Sequence, residues 1–173
     1  MRRLFDIDKK DHSECTYEFR RDSARGIIVK DGRVAMIHSM KYDYYKFPGG
    51  GIEAGEAPEE AMIREVLEEA GLVVIPETIR EFGIVHRVQR GMEDPAERFV
   101  QDNYYYLCDA EDGIVPQNLD DYEEEASFQL EFADPREVIR KNLSPEGSPA
   151  GRTMREREAR VLEMLIEEGI IQP

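Results

Sequence analysis

The chain has no tryptophan and only two cysteines among its 173 residues. Cys15 and Cys108 are too few for a disulfide-rich scaffold, and they have no metal-ligand spacing. One structural disulfide between them stays open, but two free thiols in a reducing cytoplasm are the simpler expectation. Long apolar runs are also missing, so no transmembrane helix is predicted. Residues 1–14 lack the apolar stretch of a secretory signal, and we therefore expect a cytoplasmic protein without membrane contact.

Positive charge is scarce as well. The 23 lysine and arginine residues face 38 aspartate and glutamate residues, which gives a formal net charge of −15. Long nucleic acids bind to basic surfaces, so this balance argues against a polymeric nucleic acid as partner. It does not argue against a small anionic substrate, because a metal ion and nearby arginines reverse the local charge inside a cleft. The length suits one domain with a sizeable core.

The segment after the glycine run Gly49–Gly51 is predicted to be a helix with two different faces. Pro58 suits the first helical position, and Gly71 suits the position just past the end. One arc of the helical wheel is apolar and contains Met62, Ile63, Val66, Leu67 and Ala70. A separate arc carries three glutamates, Glu65, Glu68 and Glu69. The helix is therefore expected to bury one side and to turn its acids toward a cleft.

Three like charges on one helix face repel each other unless a cation lies between them. Carboxylate oxygens suit hard cations such as Mg²⁺ or Mn²⁺. The pattern therefore predicts a metal-dependent enzyme that acts on a phosphorylated substrate. The alternative is a plain amphipathic surface helix, which is common in soluble proteins.

The spacing of this segment resembles the signature of the Nudix hydrolase family, the Nudix box. The matching residues are Gly50, Glu56, Arg64, Glu65, Val66, Glu68, Glu69, Gly71 and Leu72. The lead-in Phe47-Pro48-Gly49-Gly50 is also typical of the family. The resemblance is complete over Gly50–Leu72 and looser elsewhere. It implies an α+β fold, in which an α/β/α sandwich holds a mixed β-sheet between helices.

Nudix hydrolases use divalent metal to cleave a diphosphate linked to another moiety. The resemblance implies that Mg²⁺ or Mn²⁺ supports hydrolysis of a nucleoside di- or triphosphate derivative, with water attacking phosphorus. The implied metal ligands are Glu65, Glu68, Glu69 and the backbone carbonyl of Gly49. Glu69 and Glu68 are also implied to act in catalysis, Glu69 by bridging ions or by helping to activate water. Arg64, counted with the catalytic residues, is implied to hold the loop and helix in place together with Glu56.

The general base is less well defined, because some family members use an acidic residue on a later loop. Here the run Asp120–Glu125 is strongly acidic and precedes the apolar stretch 128–130. Glu125 is the predicted distal acid. The alternative is that this run is only a solvated loop, since charge runs are usually surface features.

Candidate substrate-binding residues lie just before the glycine run and on predicted strands. Lys46 and Tyr45 precede the run, and lysine meets phosphate while tyrosine stacks on a base. Arg25 and Arg87 are further candidates for contact with an anion. The alternative for the tyrosine is that it packs in the core or faces solvent.

The rest of the chain is predicted to alternate between strands and helices. Predicted strands are 26–30 and 33–39, joined by a hairpin at Asp31-Gly32, then 78–90, 99–108 and 127–132. Predicted helices are 135–141, with Asp134 as N-cap, and 155–168, with a loop over 142–152 between them. Residues 23–173 are assigned to the Nudix domain. Residues 1–22 are an N-terminal extension, either an added strand or a mobile terminus.

Two other functions stay open at this point. One is a catalytically idle Nudix domain that senses a nucleotide, although the intact glutamates argue against it. The other is an acidic scaffold that binds proteins. The expected partner is a small phosphorylated molecule derived from a nucleotide, and the sequence leaves a homodimer open.

Overall fold

The computed structural model describes residues 1–145 and 151–172. Its α-helices are α1 (Pro58–Ala70), α2 (Asp121–Glu125), α3 (Pro135–Asn142) and α4 (Arg152–Glu167). Its strands are β1 (Arg3–Asp8), β2 (Tyr17–Arg20), β3 (Ser23–Ile27), β4 (Val29–Lys30), β5 (Arg33–Ser39), β6 (Tyr44–Lys46), β7 (Gly49–Gly51), β8 (Arg80–Arg90), β9 (Glu97–Leu107) and β10 (Phe128–Ala133). A short 3₁₀ helix, Pro76–Thr78, precedes β8.

The larger sheet is mixed and carries the glycine strand β7 at one edge. Its order is β1-β8-β9-β3-β7, and β2 also pairs with β9. β1 runs parallel to β8, and both β2 and β3 run parallel to β9. β8 pairs antiparallel with β9, and β3 pairs antiparallel with β7. Because β2 and β3 pair with successive parts of β9, residues 17–27 run along one side of that strand.

The smaller sheet is antiparallel, with the order β10-β5-β4 and with β6 paired to β5. The predicted hairpin between β4 and β5 is confirmed. Its turn residues Asp31 and Gly32 have φ angles of 52° and 73°, and positive φ at both positions is typical of a two-residue Asp-Gly turn. The predicted strand 26–30 is divided, however. Gly26 and Ile27 pair with β9 in the larger sheet, whereas β4 pairs with β5. The chain therefore passes from one sheet to the other at Ile28.

Two apolar clusters hold the helices against the sheets. Tyr105 and Tyr106 are neighbours on β9, so their side chains point to opposite faces of the larger sheet. Tyr105 belongs to the cluster formed with Val161, Leu162 and Leu165 of α4. Tyr106 belongs to the cluster formed with Ala61, Met62 and Val66 of α1. Helices therefore cover both faces, which confirms the predicted α+β sandwich around a mixed sheet.

The predicted helix ends are mostly confirmed. α1 begins at Pro58, and Gly71 follows its end with a left-handed φ of 64°. The side chain of Asp134 accepts a hydrogen bond from the backbone N–H of Arg136, as expected for the N-cap of α3. The predicted loop 142–152 is shorter at both ends, because Asn142 still belongs to α3 and Arg152 already belongs to α4. Its central residues, 146–150, lie outside the described residues.

Residues 1–22 contribute two strands, β1 beside β8 and β2 beside β9. These strands correspond to the added-strand interpretation, while the domain boundary at residue 23 stays a prediction. Over residues 1–145 and 151–172, no helix is long and apolar enough to cross a bilayer.

Candidate active site

A cleft of about 790 Å³ opens between α1, the glycine strand β7 and one face of the larger sheet. Three series of alternate residues line it, namely Phe19, Arg21, Ser23 and Arg25 along β2 and β3, Arg87 and Gln89 on β8, and Glu97, Phe99 and Gln101 on β9. Alternate residues on a strand point to the same face, and the strand register places these three series side by side. The other walls include Lys46, Gly49–Gly51, Glu65, Glu69, Asp120, Tyr122 and Glu123.

Gly50 lets α1 bring Glu65 into this cleft. A Cβ atom on Gly50 would lie 2.3 Å from Oε2 and 2.7 Å from Oε1 of Glu65. Such distances are well inside van der Waals contact. The carboxylate of Glu65 therefore lies over a backbone position that glycine leaves open.

Three carboxylates from two helices meet in the cleft. Glu65, Glu69 and Glu123 each offer an oxygen, and these oxygens all lie within 4.8 Å of one another; we call them the carboxylate cluster. Glu65 and Glu69 are one turn apart on α1. Glu123 comes from α2, whose N-cap Asp120 accepts a hydrogen bond from the backbone N–H of Glu123 at 2.9 Å. A capping residue three positions upstream thus fixes the orientation of Glu123.

Burial dominates the electrostatics of the carboxylate cluster. Glu69 is only 1% exposed, and burial raises its pKa to about 7 against the opposing charge of Lys46. Burial also raises the pKa of Glu65, against the effect of Arg64. The Lys46 ammonium donates to Oε1 of Glu69 and to the carbonyl of Gly49, the latter at 3.2 Å. Oε2 of Glu69 accepts from the backbone N–H of Gly49 at 2.9 Å.

The residues of the cluster fit a hard divalent cation. Three oxygen donors of like charge converge in a partly buried site, where their mutual repulsion favours a multiply charged cation between them. The chain itself supplies two monovalent cations to these carboxylates, the ammonium of Lys46 to Glu69 and the guanidinium of Arg64 to Glu65. Glu65, Glu69 and Glu123 are therefore the residues that would hold Mg²⁺ or Mn²⁺.

Arg64 connects the glycine loop to the helix. Its guanidinium donates to both oxygens of Glu56, at 2.8 and 2.9 Å, and to the carbonyl of Gly51 at 3.1 Å. It also donates to Glu65 at 2.7 Å and to Glu68 at 3.2 Å. The hydrogen bonds from Arg64 to Glu56 lower the pKa of Glu56 to about 2. Arg64 thus positions Glu65 without facing the middle of the cleft.

Glu68 does not join the carboxylate cluster. Glu68 points about 100° away from Glu69 on the helical wheel, and it is not among the residues that line the cleft. The side chain of Glu68 is 35% exposed, and its partner is Arg64. Among the predicted ligands, Glu65 and Glu69 are brought together, whereas the carbonyl of Gly49 faces the cationic groups of Lys46 and Arg25.

Three basic side chains, Arg25, Arg87 and Lys46, also line the cleft, and we call them the basic wall. Arg25 donates from Nη1 to the carbonyl of Gly49 at 3.1 Å, while its buried Nε has no hydrogen-bond partner among the described residues. Arg87 donates to the side-chain oxygen of Gln89 at 2.7 Å and lies 5.4 Å from the centroid of the Phe99 ring. Burial, with help from neighbouring arginines, lowers the pKa of Arg87 to about 10. The structure therefore brings the predicted Arg25, Arg87 and Lys46 into the cleft.

Helix α4 supports the wall from behind. The fully buried Glu158 accepts from the backbone N–H of Phe47 at 2.8 Å, from the hydroxyl of Tyr105 at 2.8 Å and from Nε of Arg157 at 2.7 Å. Burial opposes its ionisation, but Arg157 and Arg25 hold its pKa below the usual value. Glu158 therefore supplies a negative charge beneath a group of arginines and fixes the backbone that leads into β7.

Two predicted site residues lie elsewhere. Glu125 is on the surface and pairs with Lys41, so within the acidic run it is Glu123 that joins the carboxylate cluster. Tyr45 packs in the core, where its ring stacks on His38 and its hydroxyl donates to Glu131 at 2.9 Å. The prediction missed Glu123. The signal that could have identified it is Asp120 followed three residues later by a glutamate, which predicts a short capped helix.

A family model described as NUDIX domain matches residues 20–154. The chain is 51% identical over 49 residues to an RNA pyrophosphohydrolase from Halorhodospira halophila, covering 27% of this chain and 27% of that protein. It is 41% identical over 51 residues to an ADP-ribose pyrophosphatase from Methanocaldococcus jannaschii, covering 28% of this chain and 30% of that protein. The aligned segment spans less than a third of each relative.

Solved structures of two proteins share the fold. A NUDIX hydrolase from Nitrosomonas europaea superposes with a TM-score of 0.62, covering 90% of this chain and 93% of that one, at 16% identity. A mutator MutT protein from Bacillus halodurans superposes with a TM-score of 0.57, covering 82% of each chain, at 21% identity.

Proposed function

Because this chain belongs to the NUDIX domain family, we propose that it hydrolyses a diphosphate bond in a nucleoside di- or triphosphate derivative, with Mg²⁺ or Mn²⁺ as cofactor. The observation that carries the proposal is the carboxylate cluster, whose oxygens lie within 4.8 Å of one another beside a basic wall. The charge of a diphosphate suits both groups, since arginine binds phosphate directly and carboxylates bind it through a divalent cation.

The names of the relatives support this substrate class. One is an RNA pyrophosphohydrolase and another an ADP-ribose pyrophosphatase, and both names describe cleavage of a phosphoanhydride in a nucleotide-derived molecule. The proposal therefore takes from them the reaction type and leaves the identity of the nucleotide to experiment.

Each side of the cleft has a separate task. Arg25 and Arg87 bind the phosphate oxygens and neutralise their charge, since arginine matches phosphate geometry. Glu65, Glu69 and Glu123 would hold the divalent cation, which would supply charge neutralisation of the diphosphate and a lowered pKa for its bound water. The raised pKa of Glu69, about 7 in the absence of a cation, shows how strongly burial disfavours its charge there, and a bound divalent cation would offset that penalty. Arg64 keeps Glu65 in place through its bonds to the glycine loop.

The test is a product-release screen with Mg²⁺ or Mn²⁺ over nucleoside triphosphates, nucleotide sugars, dinucleoside polyphosphates and 5′-triphosphorylated RNA. We expect turnover of at least one compound, with a loss of a hundredfold or more in Glu69→Gln. The matched control is Glu59→Gln, which removes the same charge from an exposed position on the same helix.

Failure of the screen has a clear meaning. A folded protein that turns over none of these compounds with either metal would be an idle nucleotide sensor or an acidic scaffold. Turnover by Glu69→Gln at the parent rate would instead contradict the assignment of the site.

A further inference from the structure

The end of the cleft farther from the carboxylate cluster presents two aromatic side chains, Phe19 and Phe99, among polar ones. Phe19 on β2 and Phe99 on β9 are partners in the parallel register, so they lie side by side on the cleft face of the sheet. Their ring centroids are 6.2 Å apart, with an interplanar angle of 43°. Phe19 is 46% exposed although it lines a cavity. An aromatic side chain that stays half open to water beside a cleft has surface available for a ligand.

We infer that Phe19 and Phe99 form a subsite for the nucleobase of the substrate, and this assignment rests on the proposed function for its diphosphate end. Each base has a flat π-face, and stacking on an aromatic side chain is tolerant of base identity. Arg87, 5.4 Å from the Phe99 ring, adds a planar cation next to the pair. Gln101 lies two residues further along β9 on the same face and offers amide donors and an acceptor for a base edge.

The spacing along the sheet suits a nucleotide. Ser23 pairs with Gly51 at the catalytic end, and Phe19 lies four residues earlier on the same side of β9. At the rise of a strand this is roughly 13 Å, comparable with the length of an extended nucleoside diphosphate. A base on the phenylalanines therefore places its phosphates between the basic wall and the carboxylate cluster.

This subsite depends on the N-terminal residues. The family model matches residues 20–154, so Phe19 lies just outside the matched segment. β2 holds it in place by parallel pairing with β9, from Tyr17 beside Glu97 to Arg20 beside Val100. The N-terminal extension thus contributes a specificity residue to the cleft.

The absence of tryptophan from the chain provides a direct test. Phe19→Trp places a single tryptophan at the subsite, and Glu18→Trp places one at an exposed position on the opposite face of the same strand. We expect AMP to quench the tryptophan fluorescence of Phe19→Trp saturably without added metal, and ribose 5-phosphate to leave it unchanged. Glu18→Trp should respond to neither compound. Equal responses to both compounds, or equal responses of both variants to AMP, would overturn the assignment.

A kinetic test adds a second readout. Phe19→Ala should raise KM for a nucleotide substrate on the order of tenfold, leave a diphosphate ester without a ring unchanged, and be rescued by Phe19→Tyr. A loss shared by both substrates would contradict base stacking. Quenching without any turnover would support the subsite and count against hydrolysis, whereas turnover without quenching would count against the subsite alone.

A second copy of the chain is the competing occupant of the surface formed by Phe19 and Phe99. Sedimentation velocity of the parent protein and Phe19→Ala decides this point. A dimer that dissociates in the variant would reassign Phe19 to self-association and overturn the subsite, whereas an unchanged sedimentation coefficient agrees with it.

Discussion

Replacing Gly50 with alanine tests whether the position of Glu65, and not only its charge, determines activity. The new Cβ would lie 2.3 Å from Oε2 of Glu65, where ordinary contact begins at 3.4 Å. The carboxylate would therefore have to retreat by about 1 Å. Because the obstructed atoms are the far end of a flexible side chain, the backbone of β7 should not need to move.

The expected effect is catalytic and not structural. Misplacement by about 1 Å costs on the order of a hundredfold in activity, so kcat/KM of Gly50→Ala should fall by about that factor. Affinity for Mn²⁺, measured by calorimetry, should fall by roughly tenfold to a hundredfold. The melting temperature should change by no more than a few degrees, since no buried apolar contact is lost.

Gly51→Ala is the matched control, because a Cβ there would lie 3.4 Å from its nearest neighbour, Nε of Arg21. A double-mutant cycle with Glu65→Gln gives a second check, since Gly50→Ala should have little further effect once Glu65 has lost its charge. Parent-level activity and Mn²⁺ affinity in Gly50→Ala would refute the reasoning. So would a full, additive loss in the Glu65→Gln background.

Three further outcomes are expected. In Arg64→Lys the lysine cannot donate to both oxygens of Glu56 and to Gly51 as the guanidinium does. We therefore expect kcat to fall about tenfold and calorimetry to show a lower melting temperature. Unchanged values of both would contradict the positioning role of Arg64. Glu123→Gln should weaken Mn²⁺ binding at least tenfold. Glu125→Gln should keep nearly the parent affinity, because it loses only the surface partner Lys41. The reverse order would restore Glu125 as the distal acid. Burial raises the pKa of the Cys108 thiol to about 12. Thiol labelling at pH 8, followed by mass spectrometry, should therefore modify Cys15 in the native protein and Cys108 only after unfolding. Equal labelling of both cysteines in the native protein would refute this.

The features that the sequence predicts well depend on local chemistry. Pro58 and Gly71 fix the ends of α1 through backbone conformation, and the helical period then determines which side chains share a face. Asp31-Gly32 defines a hairpin turn, because both residues adopt positive φ. Such signals act within a few residues, so they can be recognised without knowledge of the tertiary structure.

The features that it predicts poorly depend on long-range pairing. The segment 26–30 reads as one strand, but its two halves find partners in different sheets. Tyr45 lies beside the glycine run in sequence, yet its pairing opposite His38 turns the ring into the core. Within the acidic run, helix α2 determines that Glu123 faces Glu69 while Glu125 reaches Lys41. Charge alone does not distinguish these two positions.

The buried carboxylate of Glu158 has a consequence for any chimera built on this domain. It lies on α4, beyond the end of the family match at residue 154, yet it accepts the backbone N–H of Phe47 and lies 3.9 Å from Nε of Arg25. A transplanted terminal helix with an apolar residue there would leave the buried guanidinium of Arg25 without this counter-charge. Exchanging C-terminal helices between relatives would therefore alter the phosphate-binding wall, even though the exchanged segment never touches substrate.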